Sequence, residues 1–243
     1  RIYNNKTGSY QDPTFDGFTP IIVMTISTAY GSLNPFYLKD EEGRIHENVW
    51  QAGKVYPDVP DTICRFSRYD SRVIWKWKAE VHAEKLPDGS WKVKKQYLKW
   101  RRQLMNCKDA VRYPVGFNHR HKCLFALAEG LDGKIIPKPL DYVASRKAIY
   151  LPLYVKLVKP QKQFKELKQR LAKGEKLLII EVDGPHQESM PYYKEQYNVA
   201  DDFIEGNTCL ATEENLQLML NDPKHPFGHG YCLAAALQDM QLI

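Results

Sequence analysis

Apolar positions fall into short runs separated by turn residues, and their period changes along the chain. Ile21-Ile-Val-Met-Thr-Ile26 is β-branched, of strand length, and bounded by Pro20 and Gly31. Residues 176–182 form the clearest strand, ended by Asp183-Gly-Pro185. Residues 1–19 mix Asn, Thr, Gly, Asp and Pro with isolated aromatics and read as an extended arm. Over 45–56 the period becomes helical: Val49, Ala52, Val55 and Tyr56 make a broken apolar stripe that Pro57 closes. Asp61 or Thr62 is the expected start of another short helix. In 73–84 the apolar residues Val73, Trp75, Trp77, Ala79 and Val81 share one parity, which predicts a strand. Leu86-Pro-Asp-Gly89 turns it, because proline presets φ and glycine accepts a positive φ, and 91–93 returns as its partner.

Residues 94–105 read as a basic helix, and 141–158 as a long helix interrupted or kinked at Pro152, which lacks the N–H for an intrahelical bond. A helix over 161–173 ends at Gly174, a natural C-cap. Thr212 with Asn215 starts a short helix reaching Leu220, and 228–240 closes the chain as a small-residue helix around Ala234-Ala-Ala236. There is no repeat and no linker. These elements predict an α+β fold, a single mixed domain of helices packed around a small sheet, preceded by the 1–19 arm.

Composition narrows the setting. With 43% hydrophobic and 26% charged residues in 243, the chain can bury a sizeable core. No apolar run approaches the roughly 20 residues that cross a bilayer, so no membrane partner is expected. Five cysteines without a Cys-x-x-Cys pair predict reduced thiols in a cytoplasmic compartment and no zinc site. Arg1 is no native start, so a further N-terminal piece is expected to precede it. A net charge of +6 suits polyanionic partners and equally suits a solvated surface. Gly-x-Ser-x-Gly, Walker, His-Glu-x-x-His and kinase signatures are all absent.

The 45–56 helix carries the most informative chemistry. Glu47, Gln51 and Lys54 stand at i, i+4 and i+7, so they project from one face, with Val49, Ala52 and Tyr56 opposite and Trp50 at the border. A carboxylate flanked by an amide and an ammonium can stabilise an oxocarbenium ion or activate a water. The same pattern also suits a plain solvent-facing surface.

Ser32-Leu-Asn-Pro-Phe36 followed by His46-Glu-Asn-Val-Trp-Gln-Ala-Gly-Lys54 resembles the NADAR superfamily, the YbiA-like N-glycosidases, in which a Ser-Asn-Phe loop precedes Glu-His-Tyr-Phe-Gln-x-x-Lys on a helix. Leu177-Leu-Ile-Ile-Glu181 is similar to that family's leucine-valine-glutamate strand, and Gly228-His-Gly-Tyr-Cys-Leu-Ala to its closing Gly-x-Asn-x-Leu-Gly helix. The resemblance implies a YbiA-like α+β domain over 20–243 with an insertion around 60–140. It also implies cleavage of a ribosyl N-glycosidic bond in a nucleotide, ADP-ribose adduct or modified base. Glu47 would be catalytic, with Asp183 as a second carboxylate. Asn34, Trp50, Gln51, Lys54, Gly228, His229 and Gly230 would bind a nucleotide or ADP-ribose-type ligand. No metal or cofactor is called for.

Other segments compete with this reading. Asp183 at a strand end is either a site residue or a turn Asp capping its own backbone. Glu181, inside an apolar strand, must reach solvent or find a partner. Glycines on both sides of His229 either admit a ligand to an anion site at a helix N-terminus or serve packing. Lys94, Lys95, Trp100, Arg101 and Arg102 interleave cations and an aromatic, with Tyr97 and the nearby tryptophans, and point to the alternative function, a non-catalytic nucleic-acid-binding protein using 75–102. If Tyr97 and Trp100 share a helical face they are core anchors instead. Arg112-Tyr-Pro-Val-Gly116 and Asn118-His-Arg-His121 add further cationic groups.

Overall fold

The structure is a computed structural model that describes residues 1–4, 6–67, 70–130 and 132–243, and within 2–4, 64–67 and 70–73 the backbone alone. The expected α+β class holds: helices alternate with short strands that pair two by two among the described residues. The chain forms two compact units, one of Pro35–Leu153 and one of Arg1–Asn34 with Tyr154–Ile243.

In the second of these, Thr19–Ile22 and Leu177–Ile180 pair in parallel, Ile21 opposite Ile179. Both are short, apolar and β-branched, as strands covered by helices require. Ile21 and Ile180 are buried, and the helix His229–Leu237 packs on Leu177–Ile180. That helix is buried on nearly every side, which its Gly and Ala residues permit by letting backbones approach closely. Helix Lys162–Ala172 buries Phe164 and Leu167 and ends before Gly174 at φ +86°. Helix Glu213–Asn221 starts where expected, the Thr212 side chain accepting from the Asn215 N–H at 3.1 Å. Residues 1–19 are not simply extended. Ile2–Asn4 and Ser9–Gln11 form an antiparallel hairpin whose turn holds Gly8 at φ +66°. The helix Met190–Tyr197, which no periodicity announced, has Pro191 in its first turn and Asn198 in the left-handed region at its end.

The Pro35–Leu153 unit is built on an aromatic core of Tyr56, Trp75, Tyr97 and Trp100, with Leu104 packed among them. Truncating a buried side chain as large as Trp100 costs roughly 3–5 kcal/mol. The helix His46–Ala52 packs on Lys95–Met105. It is shorter than the 45–56 expected, because Lys54–Val55 leaves it to pair with Phe125–Ala126. Residues from Thr62 are strand, not helix: Thr62–Ser67 pairs antiparallel with Asp70–Trp77. The single strand expected over 73–84 is broken into Asp70–Trp77, Glu80–Val81 and Ala83–Lys85, and the last pairs with Trp91–Val93 across the Gly89 turn. Trp75 is buried and Trp77 half-buried; the Val73 side chain lies outside the described residues.

Pro152 does not break its helix. Tyr142–Ser145 continues through a π-turn, Arg146–Tyr150, into Leu151–Val158. The widened turn lies immediately ahead of the proline, where the ring would otherwise meet the carbonyl of the preceding turn.

Candidate functional site

In the Pro35–Leu153 unit, the N-terminus of His46–Ala52 is pinned by core contacts. The buried His46 places Nε2 2.9 Å from the Tyr150 carbonyl. Asn48, fully buried, donates to the Cys107 and Asp109 carbonyls and accepts from the Val111 N–H. That lock fixes the rotation of the helix, and with it the edge carrying Glu47 and Gln51; Lys54, expected on the same helical face, lies beyond the helix in the strand Lys54–Val55. On this edge Gln51 Nε2 donates to Glu47 Oε1 at 2.8 Å, and Lys54 Nζ donates to Gln51 Oε1 at 2.9 Å. Glu47 and Gln51 are only 6% and 8% exposed, so the expected polar face is a buried chain rather than a solvated one. Trp50 stands edge-on to Tyr150, and the Lys54 ammonium sits 4.7 Å from the centre of its ring. Burial pushes the Lys54 pKa below its ordinary value, with the Arg120 charge adding to the shift; the Glu47 carboxylate opposes it.

In the other unit, the Leu177–Ile180 strand delivers Glu181 to the start of the helix His229–Leu237. Glu181 is the partnered carboxylate of the strand end: Oε1 lies 3.0 Å from His229 Nδ1, and Oε2 accepts the Gly230 N–H. On its other side His229 Nε2 lies 3.0 Å from the Val23 carbonyl, an acceptor only, so Nε2 carries a proton. Asn34 Nδ2 donates to the same carbonyl at 3.2 Å. Burial favours the neutral form of both partners, yet their mutual attraction wins: the pKa of Glu181 is lowered and that of His229 raised. The pair is therefore ionic.

This arrangement decides the meaning of the two glycines. A Cβ on Gly228 would lie 2.5 Å from Glu181 Oε1, and one on Gly230 2.9 Å from Oε2. The anion expected at this helix N-terminus is the chain's own carboxylate, and the glycines make room for it. Asp183 is half-buried in the bend beyond the strand, its backbone N–H bonded to Glu181. Glu181 was legible only as a residue needing a partner; the signal that identifies the partner is Gly-His-Gly, forty-seven positions onward, roughly too far for any periodic argument.

Of the cationic set, Trp100 is completely buried and Arg101 is 4% exposed. The Arg101 guanidinium donates to the Leu127 carbonyl and the Tyr97 hydroxyl at 3.0 Å and pairs with Glu129. Both are core groups, because they fall on the helical face shared with Tyr97. Lys94 pairs with Glu84, while Lys95 and Arg102 are exposed and have no acidic partner among the described residues. Among the described residues no three His, Cys, Asp or Glu side chains are grouped to hold a metal ion, and no helix is long and apolar enough to cross a membrane.

No family model, curated protein or solved structure matches this chain.

Proposed function

We propose that the chain is an N-glycosidase-like hydrolase of a ribosyl N-glycosidic bond in a nucleotide, ADP-ribose adduct or modified base, with Glu47 as its catalytic carboxylate. One observation carries the reading: Glu47 and Gln51 on a buried helix edge, and Lys54 in the strand just beyond it, form a single hydrogen-bonded chain. A helix edge with only solvent to meet would leave three such long side chains apart, since ordering them costs rotamer entropy. The three residues are also those through which the segment resembles the NADAR superfamily.

The chemistry follows from the order of the chain. The C1′–N bond breaks, its electron pair leaves with the base nitrogen, and positive charge develops on the ribosyl ring. Glu47 stabilises that charge or takes a proton from the attacking water, whose hydroxyl adds to C1′ while the proton goes to the departing base. Gln51 fixes the orientation of the carboxylate, and Lys54 balances its charge from the far end. Asp183 belongs to the other unit, and the reading does not depend on it. The thiols of Cys107, Cys123, Cys209 and Cys232, which form no disulfide among the described residues, suit the reducing, cytoplasmic setting that goes with such substrates.

The test is hydrolysis of a panel of nicotinamide and purine nucleotides, ADP-ribose adducts and ADP-ribosylated guanosine, with base release followed by mass spectrometry. Glu47→Gln should lower kcat by about 10²–10⁴ with the fold intact by circular dichroism. Full activity in Glu47→Gln would remove Glu47 from the mechanism. Wild-type protein inert toward the whole panel would remove the enzyme class.

A further inference from the structure

Residues 110–128 contain no Asp or Glu, yet hold Arg112, His119, Arg120, His121 and Lys122. The last four sit in one 3-10 turn, Phe117–Lys122, that buries none of its residues and is entered through Gly116 at φ +76°. Three other cations of the same unit are neutralised: Arg44 meets Asp40 and Glu129, Arg101 meets Glu129, Lys94 meets Glu84. Arg112, Arg120 and Lys122 have no acidic partner among the described residues. Lys122 instead donates to His119 Nε2 at 3.3 Å.

Arginines also pack on the ring of Phe117 and on that of Tyr113 just before the turn. The Arg120 guanidinium lies 4.1 Å from the centre of the Phe117 ring and 5.4 Å from that of Tyr113. Arg112 lies 5.2 Å from Tyr113, and the two rings meet edge to face at 5.3 Å. Phe117 is 56% exposed although it is large and apolar. A ring held against guanidinium groups loses little freedom when a second planar group stacks on it. Asn118, His119 and His121 around it are polar, so the turn offers one ring and not an apolar patch of the kind that enters a bilayer.

We propose that the 112–122 segment docks single-stranded nucleic acid, with phosphates on Arg112, Arg120 and Lys122 and a base stacked on Phe117. Charge complementarity selects a polyanion, and the exposed ring selects one that carries unpaired bases. The site is distinct from the 75–102 region that the sequence suggested, and it stands whether or not Glu47 is catalytic.

The experiment is fluorescence anisotropy with labelled twelve-nucleotide oligo(dT), from 50 to 200 mM salt. Three phosphate contacts predict a slope of log K on log salt near −2, from about −0.7 per contact. Lys122→Glu and Arg120→Ala, both at exposed positions, should each weaken binding and flatten that slope. Phe117→Ala should weaken it about 5- to 100-fold at unchanged slope, the loss of one stacked base. Circular dichroism shows that each variant is folded. Wild-type binding weaker than roughly 10⁻⁴ M at 50 mM salt would overturn the proposal. So would wild-type affinity in Phe117→Ala together with equal competition by polyphosphate, which marks a simple anion site. Phe117-dependent binding to phosphatidylserine vesicles, with none to oligo(dT), would assign the surface to a membrane instead.

Discussion

Glu181→Gln is the sharpest perturbation available in the Arg1–Asn34 and Tyr154–Ile243 unit, because it removes a charge while keeping a shape. The substituted amide can still accept from Gly230 through its oxygen and donate through its nitrogen to Nδ1 of a neutral His229, whose Nε2–H stays on Val23. What is lost is, first, the charged increment of the bonds to His229 and Gly230. A bond to a charged group contributes about 1.5–3 kcal/mol and a neutral one about 0.5–1.5, so the difference is roughly 2–3 kcal/mol for the pair. The pH dependence has a definite sign. The raised pKa of His229 stabilises fully below about 6.5, and that contribution is lost as pH rises through the folded value. The lowered pKa of Glu181 stabilises above about 4.5 and is lost as pH falls through its folded value. The wild-type advantage therefore peaks between these limits and shrinks on either side. All five tryptophans lie in the Pro35–Leu153 unit, so tryptophan fluorescence would miss the event. Urea melts by circular dichroism at pH 5.5 should show a midpoint lower by about 1 M, with m near 2–3 kcal/mol per M. Hydrogen exchange in peptides 177–182 and 228–237 should rise with it. Equal stability at pH 5.5, or a deficit that grows toward pH 9, would refute the ionic pair.

Two further outcomes follow from the same unit. Gly228→Ala should cost about 1–3 kcal/mol, as its Cβ meets a carboxylate that cannot withdraw, and the cost should largely vanish in the Glu181→Ala background; thermal melts of the four proteins close the cycle. Asp222, fully buried, accepts from the Tyr192 and Tyr193 hydroxyls at 2.8 and 2.9 Å and pairs with His225 at 2.6 Å. Burial raises its pKa, but these hydrogen bonds bring the net value below normal, so its contribution is present above about 3.8 and lost as pH falls through the folded pKa. Asp222→Asn should cost about 3 kcal/mol at neutral pH and should blunt the acid-side loss of stability seen in wild type; melting temperature against pH reads both.

Much of the secondary structure is local and was legible. The apolar strands near Ile21 and Ile180, the Gly174 and Thr212 helix ends, the Gly89 turn and the face shared by Glu47 and Gln51 all follow from backbone sterics and a fixed period. The errors share a cause. Helix His46–Ala52 stops early because Val55 pairs with Phe125, seventy positions onward. Thr62 enters a strand because Trp77 lies opposite it. Pairing partners at such separations leave no local trace.

The same division runs through the candidate sites. Sequence by itself determined that Glu47 and Gln51 share an edge, because helical geometry sets that at any burial; Lys54, expected on the same helical face, instead reaches Gln51 from a strand whose partner is distant. It did not determine that the edge is buried and internally hydrogen-bonded, nor that Trp100 and Arg101 turn inward while Phe117 and Arg120 turn outward. Nor could it show that Glu181 lies between two glycines of a distant helix. Those outcomes belong to the tertiary structure, because burial and charge pairing depend on which surfaces meet.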